Sequence, residues 1–275
     1  MRKQITWLVW GLIVCCSVPV QAKVSLTGQL TQGGLVLGQT ANAAKVSLDG
    51  KAIAVADNGA FVFGFGRDAS LNHQLIIIDK YNNKVTRNLK LSKRNYKIQR
   101  ITGISKKIMQ PSKTALVRIE KDVKQVVAAR QTASKLLFFS KQFIAPSHGI
   151  ITGVYGSQRV FNGVKKRPHF GLDYAGKVGD PVIAPAAGRV TLFVPDMFYS
   201  GGTMIIDHGF GISSTFLHLS HAYVKQGDEV KQGQLIAAVG RSGRATGPHL
   251  DWRVNWYNVR LDPALVLKAN HLISQ

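Results

Sequence analysis

The sequence predicts an all-β protein in which one helix separates two β regions. From Lys23 to about Arg100, short apolar runs alternate with turns such as Asp49-Gly50, a pattern that is typical of antiparallel strands. From Ile150 onward the chain is again strand-like and rich in glycine. Hydrophobic residues make up 45% of the 275 residues, which is enough to bury a core and excludes a disordered or fibrous chain.

The first β region contains regularly spaced strand signals. Val46 and Leu48 alternate before a turn, and residues 74–79 form a short apolar run followed by the turn at 81–84. Three phenylalanines are spaced by two residues: Phe61, Phe63 and Phe65. Because strand side chains alternate between faces, this spacing predicts a small antiparallel β-sandwich over residues 23–110.

The period changes to that of a helix over residues 112–135. Apolar side chains recur on one helical face: Leu116, Ile119, Val123, Val126 and Val127. Ser112 or Thr114 is the predicted N-cap. We expect a connecting helix within a linker over residues 111–140, packed on a neighbouring domain, with no polar groups converging on its apolar face.

The second β region, residues 141–275, is predicted to form one β domain. Its clearest strand signals are Val182–Pro185, Gly188–Thr191, Thr203–Ile206 and Leu235–Val239. No period of 20 to 50 residues indicates a repeat architecture.

Residues 1–22 have the pattern of a secretory signal peptide. Arg2 and Lys3 precede an apolar stretch, which is followed by the small-residue cleavage pattern Val20-Gln21-Ala22. We expect cleavage before Lys23 and a mature chain without a membrane span, located in the periplasm or secreted. The chain's 2 cysteines both lie in this segment, so we expect no disulfide in the mature chain.

Basic residues are concentrated in the first half of the chain. Residues 23–149 carry 21 basic and 6 acidic residues, whereas residues 150–275 carry 13 and 8. Such an excess is compatible with an ordinary solvated surface or with adhesion to an anionic envelope polymer. Nucleic acid is not an expected partner, because no reader motif is present.

Three clusters contain residues of the types that bind metals or transfer protons. His169 and Asp173 are four residues apart, with a glycine between them. His218 lies in an apolar strand-like run, where a histidine is usually a satisfied core residue. If a strand begins after Pro248, His249 and Asp251 lie on one side of it.

Taken together, these clusters resemble the lysostaphin-type, or LytM-type, zinc peptidases over residues 145–265. The segments that match are His169-x-x-x-Asp173, Asp180–Pro185 with Gly188, Asp207–Gly209, Phe216–Leu219, Val224–Gln234 and Thr246–Leu250. The run Ala60–Arg67 is similar to the strand-rich N-terminal domain of Gram-negative relatives.

The resemblance implies a two-sheet β domain with a zinc ion at the floor of a groove. His169 and Asp173 would bind Zn²⁺, His249 would act as general base, and His218 would stabilise the charged tetrahedral intermediate. The implied activity is metalloendopeptidase hydrolysis of peptide cross-links in bacterial peptidoglycan.

The sequence departs from this family at the third metal ligand. The family has His-x-His where this chain has His249 and Asp251. Asp251 could bind zinc, although two carboxylates would neutralise the ion, or it could pair with Arg253 on the same strand face. The alternative function is therefore a catalytically degenerate member that binds peptidoglycan or regulates another wall hydrolase. His208, which precedes a glycine at a strand end, is predicted to be structural.

Overall fold

The computed structural model describes residues 24–40, 45–102, 112–132 and 134–269. The predicted signal peptide, residues 1–22, lies outside these ranges. The described chain is built mainly from antiparallel strands, which confirms the predicted all-β class.

The N-terminal strands form two small antiparallel sheets. Their bounds are β1 (Ser25–Gly28), β2 (Leu35–Gln39), β3 (Lys45–Leu48), β4 (Lys51–Ile53), β5 (Ala60–Gly64), β6 (Asn72–Ile78), β7 (Lys84–Lys90) and β8 (Ile98–Ile101). One sheet has the order β1-β2-β5 and the other has the order β4-β3-β6-β7. Asp49 and Gly50 connect β3 to β4 with φ angles of 50° and 78°, the combination that a two-residue hairpin turn requires.

Strands β2 and β5 of the sheet β1-β2-β5 are buried on both faces. Val36 and Phe63 point into a core shared with the other N-terminal sheet. Leu35, Leu37 and Val62 point the opposite way, into the core of the C-terminal region. Alternate residues of β2 and β5 therefore belong to two different cores. The N-terminal sandwich packs directly on the domain that contains the three clusters.

The predicted helix is α1 (Lys113–Arg130), and the Ser112 hydroxyl caps it by accepting a hydrogen bond from Ala115 N at 3.2 Å. The predicted burial of its apolar face is wrong in part, because Leu116 and Val123 are each 52% exposed. The predicted absence of polar groups is also wrong, since Asp122 and Arg130 line the same cavity as the apolar residues. No helix within the described ranges has the length and apolar character needed to cross a membrane.

The C-terminal region is dominated by one large sheet. After a short 3₁₀ helix (Phe138–Ser140), its elements are β9 (Ile151–Gly153), β10 (Gln158–Phe161), β11 (Val164–Lys165), β12 (Leu172–Ala175), β13 (Pro181–Ile183), β14 (Gly188–Met197), β15 (Gly201–Gly209), β16 (Ile212–Ala222), β17 (Glu229–Val230), β18 (Leu235–Val239), β19 (His249–Trp256), β20 (Val259–Leu261) and α2 (Pro263–Ala269). The main strand order is β17-β14-β15-β16-β19-β12-β9. Phe216 and Trp252, both fully buried, lie in the middle of its core. The predicted strand starting after Pro248 is β19.

One strand links the two regions. β8 pairs in parallel with β10, which in turn pairs with β11, so Ile98–Ile101 extends a sheet of the C-terminal region. This small sheet lies next to the segment that contains His169, whose backbone N–H donates to Ser157 O at 2.8 Å.

Candidate active site

The strand register brings the first and third clusters together. β12 and β19 are antiparallel neighbours, and Asp173 lies directly opposite Asp251. His169 precedes β12 and turns back, so that ligand atoms of all three residues lie within 4.8 Å of one another. Two carboxylates facing each other across a strand pair repel, so this arrangement requires positive charge close by.

Two of the three groups have the features of metal ligands. His169 Nε2 lies 3.2 Å from Asp173 Oδ1. Both atoms are buried, and apart from this contact with each other neither has a hydrogen-bond partner among the described residues. Since buried polar atoms are normally paired, a nitrogen and an oxygen converging in this way fit a divalent cation. Burial disfavours the charged imidazole, but the carboxylates of Asp173 and Asp251 outweigh it and raise the pKa of His169.

Glycines provide the space for these carboxylates. A Cβ atom on Gly153 would overlap the Asp173 carboxylate, and one on Gly171 would overlap the Asp251 carboxylate. The glycine between His169 and Asp173 is therefore required by the packing of the Asp251 side chain.

The third group is already paired with a cation. Asp251 is 3% exposed, and both of its oxygens accept hydrogen bonds from Arg253, with Nε at 3.0 Å from Oδ1 and 3.1 Å from Oδ2. Burial opposes ionisation of Asp251, but the guanidinium charge and its hydrogen bonds outweigh it and lower the pKa of this carboxyl. The salt bridge anticipated from the two-residue spacing is thus present. The donor set fits a metal ion, with Arg253 as a competitor for one ligand.

A β-bulge brings His218, the histidine of the second cluster, next to His249 of the third cluster. Along β16 the pairing passes from Phe216 to Leu219 while β15 advances by only two residues, so β16 contains one extra residue. His218 lies at this bulge with a φ of 64°, a backbone angle that is strained for histidine and redirects its side chain. Its ring centroid is 4.7 Å from that of His249.

Both rings have a defined tautomer. His218 Nδ1 is 2.8 Å from Ser242 O, and His249 Nδ1 is 2.9 Å from Gly247 O. A carbonyl oxygen can only accept, so each Nδ1 carries the proton and each Nε2 retains a lone pair in the neutral ring. Burial lowers the pKa of His218, which keeps that ring neutral. Two adjacent histidines with free Nε2 atoms can accept protons.

The structure thus groups the five residues predicted from the sequence into a triad of His169, Asp173 and Asp251, whose atoms converge, and a histidine pair. His208 is fully buried, with its ring nitrogens 2.8 Å from Ala187 O and 2.9 Å from Ser214 Oγ, which fits the predicted structural role. Ser242, which orients His218, was not predicted, because its carbonyl comes from a loop 24 residues away.

Comparison with known proteins agrees with these features. A family model described as Peptidase family M23 matches residues 167–263, the segment that contains the triad and the histidine pair. This segment is an M23 peptidase domain, which confirms the lysostaphin-type family indicated by the motifs.

Similar proteins extend this result. Peptidoglycan DD-endopeptidase ShyB of Vibrio cholerae is 40% identical over 103 residues, covering 38% of this chain and 23% of that protein. DD-carboxypeptidase/endopeptidase Mpg of Neisseria meningitidis is 37% identical over 100 residues, covering 36% and 23% respectively. The aligned segment spans about a quarter of the length of these relatives.

A solved structure shares the fold beyond the peptidase domain. A protein assigned to peptidase M23 from Pseudomonas aeruginosa superposes with a TM-score of 0.68 and 27% identity. The superposition covers 88% of this chain and 97% of that one, so the N-terminal strands belong to the shared architecture.

Proposed function

We propose that this protein is a zinc-dependent endopeptidase that hydrolyses peptide cross-links of bacterial peptidoglycan. The observation that carries the proposal is the buried pair His169 Nε2 and Asp173 Oδ1, which has no hydrogen-bond partner outside the pair among the described residues and lies next to the two histidines. The names of the M23 relatives, which include peptidoglycan DD-endopeptidases, support the substrate class.

In this proposal His169, Asp173 and Asp251 hold the metal. When bound, zinc supplies Lewis-acid chemistry, because it polarises a peptide carbonyl and lowers the pKa of water at the site. His249 Nε2 is the general base, since its Nδ1 proton is committed to Gly247 O.

The role proposed for His218 depends on its proton. In the neutral ring Nε2 cannot donate to the oxyanion of the tetrahedral intermediate, because the only ring proton is on Nδ1. His218 must therefore take up a proton during the reaction before it stabilises negative charge. With the rings 4.7 Å apart, a proton accepted by one histidine also changes the electrostatics at the other.

The test combines metal analysis with digestion of cross-linked muropeptides. Gently purified protein should contain about one zinc per chain. His169→Ala should lose both zinc and cleavage, whereas His249→Ala should keep zinc and lose cleavage. His221→Ala, which changes an exposed histidine outside the site, is the matched control and should preserve both properties. Protein that neither retains nor takes up zinc, and leaves the muropeptides intact, contradicts the enzyme proposal.

A second candidate function is favoured by the contact between Arg253 and Asp251. If the guanidinium keeps the carboxylate, the domain binds peptidoglycan or regulates another wall hydrolase without cutting. Asp251→His restores the family's ligand set and distinguishes the two candidates. Tighter zinc binding with newly gained cleavage in this variant, from an inactive parent, supports the non-cutting function of the parent. Cleavage by the parent protein rules that function out.

The proposed location is outside the cytoplasm, based on the pattern in residues 1–22. N-terminal sequencing of released protein should give Lys23, and retention of Met1 contradicts this.

The basic N-terminal half is proposed to adhere to anionic envelope polymers. Because such contacts are screened, envelope-bound protein should be eluted as salt rises from low to molar concentration. Retention that does not respond to salt argues against charge as its cause.

A further inference from the structure

A cavity of about 460 Å³ lies between helix α1 and the large sheet, and it reaches His218. One wall consists of apolar side chains of α1, including Ile119, Val123 and Val126. Part of this wall faces solvent, since Val123 is 52% exposed. The cavity is large enough for a small organic ligand or a short peptide.

The remaining lining of the cavity is dominated by arginine. The five arginines that contribute to it are Arg130, Arg167, Arg244, Arg253 and Arg260. We call this cavity the arginine pocket. Within the part of the chain that the structure describes, only Arg253 of these five forms an ion pair with a carboxylate. The single carboxylate in the lining, that of Asp122, accepts a hydrogen bond from Phe198 N at 2.7 Å.

Arg130 is the most deeply placed of the five. It is 6% exposed, and its Nη2 donates to Thr215 Oγ1 at 2.9 Å. Its Nε is buried and has no hydrogen-bond partner among the described residues. A guanidinium has no protonation state in which this donor disappears at neutral pH, so leaving it unpaired is costly.

The arginines also act on one another. Burial, followed by the charges of Arg253 and Arg167, lowers the pKa of Arg130 to about 9. Burial, followed by the charges of Arg130, Arg253 and Arg167, lowers the pKa of Arg260 to about 8. Both side chains remain mostly charged at neutral pH. Anionic groups between them would relieve both the desolvation and the repulsion.

We propose that the arginine pocket binds an acidic peptide through two or more of its carboxylates. Carboxylates match the planar guanidinium fork, and buried guanidiniums without carboxylate partners are the donors that such a ligand needs. The apolar wall indicates a ligand with a carbon skeleton, and the volume exceeds that of an inorganic anion. The requirement for an anion rests on the arginines alone, whereas the choice of a peptide rests on the proposed function.

Arginines at the floor of the pocket and at its rim would contribute differently to binding of the acidic ligand. At the floor, Arg130 is buried and Arg260 is partly buried, and their guanidiniums are the hydrogen-bond donors that would hold the ligand in place. Arg244 is exposed and lies over the Tyr199 ring at 5.1 Å, where its charge would attract an approaching anion.

Isothermal titration calorimetry in EDTA tests the proposal without any contribution from a metal. The probes are N-acetyl-Glu-Glu, its neutral counterpart N-acetyl-Gln-Gln-amide, in which every carboxylate is replaced by an amide, and inorganic pyrophosphate. The full chain should bind the acidic dipeptide, and removing one charged donor with Arg260→Gln should weaken binding about tenfold or more. Arg189→Gln, which changes an exposed arginine outside the pocket, should leave the affinity within about twofold.

Arg130→Met should abolish binding if the variant folds. Arg260→Gln and Arg244→Gln keep the proposal testable if Arg130→Met does not fold, since Arg260 is only partly buried and Arg244 is exposed. Equal affinity for the acidic and neutral dipeptides, or no effect of Arg260→Gln, overturns the proposal. Binding of pyrophosphate without binding of the acidic dipeptide overturns the peptide ligand. Loss of cleavage or of zinc content, by contrast, bears only on the proposed enzyme function, because the titration contains no metal.

Discussion

Replacing Arg253 with methionine should make the stability of this protein depend on zinc. The substitution removes the hydrogen bonds that hold the Asp251 carboxylate. Within the described residues no other group donates a hydrogen bond to that carboxylate, and at 3% exposure water cannot replace the lost contacts. Asp251 would then face Asp173 across the strand pair without a hydrogen-bonded counter-charge.

The size of the effect follows from these contacts. Breaking a buried ion pair by removing one partner costs about 3–5 kcal/mol, because the remaining charge is left uncompensated. Two features reduce that value here. The Arg253 side chain is 22% exposed, and its removal eases repulsion on Arg130 and Arg260. We therefore expect Arg253→Met to lower the free energy of unfolding by about 3 kcal/mol in EDTA.

Excess zinc should reverse most of this loss. A ligand that binds only the folded state at about 1,000 times its dissociation constant stabilises it by about 4 kcal/mol. Zinc should bind the variant more tightly than the parent, because in the parent it competes with Arg253 for Asp251. The stabilisation by zinc should consequently be larger for Arg253→Met.

Urea unfolding followed by tryptophan fluorescence, in EDTA and in zinc, measures both quantities. The control is Arg189→Met, which removes an exposed ion pair with Glu229 and should change stability by no more than about 1 kcal/mol in either buffer. Equal stability of the parent and Arg253→Met in EDTA, or equal stabilisation of both by zinc, refutes the assigned role of Arg253.

Three further measurements test other parts of the structure. Burial lowers the pKa of His208 from 6.5 to about 4, so between these values the unfolded chain takes up a proton that the folded chain does not. His208 alone should contribute a loss of stability of about 2–3 kcal/mol from pH 7 to 4.5, so the urea midpoint of the parent should fall by that much more than the midpoint of His208→Gln over this range. Gly153→Ala, whose Cβ would overlap Asp173, should weaken zinc binding by about tenfold or more in a competitive chelator titration, whereas Gly66→Ala should not. In the same titration, N-acetyl-Glu-Glu should tighten zinc binding by about fivefold or more, an increase that Arg253→Met should remove.

The fold could be predicted from the sequence where its signals are local. The alternation around Phe61 and Phe63 marks β5, and the Asp49-Gly50 turn marks the hairpin between β3 and β4. The end of α1 was predicted less closely: residues 112–135 were expected to be helical, but the structure ends the helix at Arg130, and no glycine or proline between Arg130 and Lys135 marks that end. Periodicity identified its apolar face correctly but could not show that a cavity, rather than a core, lies against it.

The candidate site was predictable for a similar reason. His169 and Asp173 are close in sequence, and the two-residue period of a strand is sufficient to place Asp251 beside Arg253. The bulge at His218 depends on the register between β15 and β16, which leaves no local signal. The arginine pocket was missed because Arg130 and Arg260 lie 130 residues apart in the numbering and meet only when α1 packs across the sheet.

Arg253 belongs to both sites, and this determines the sign of the coupling between them. Its guanidinium holds the Asp251 carboxylate and also lines the arginine pocket. An anion bound in the pocket provides a second carboxylate for the Arg253 guanidinium. Less free energy is then needed to break the contact between Arg253 and Asp251. The released Asp251 can then bind a cation together with His169 and Asp173, and a bound cation in turn releases Arg253 for the anion. Linkage requires these two effects to be equal in free energy, so an acidic ligand and the metal should each promote binding of the other.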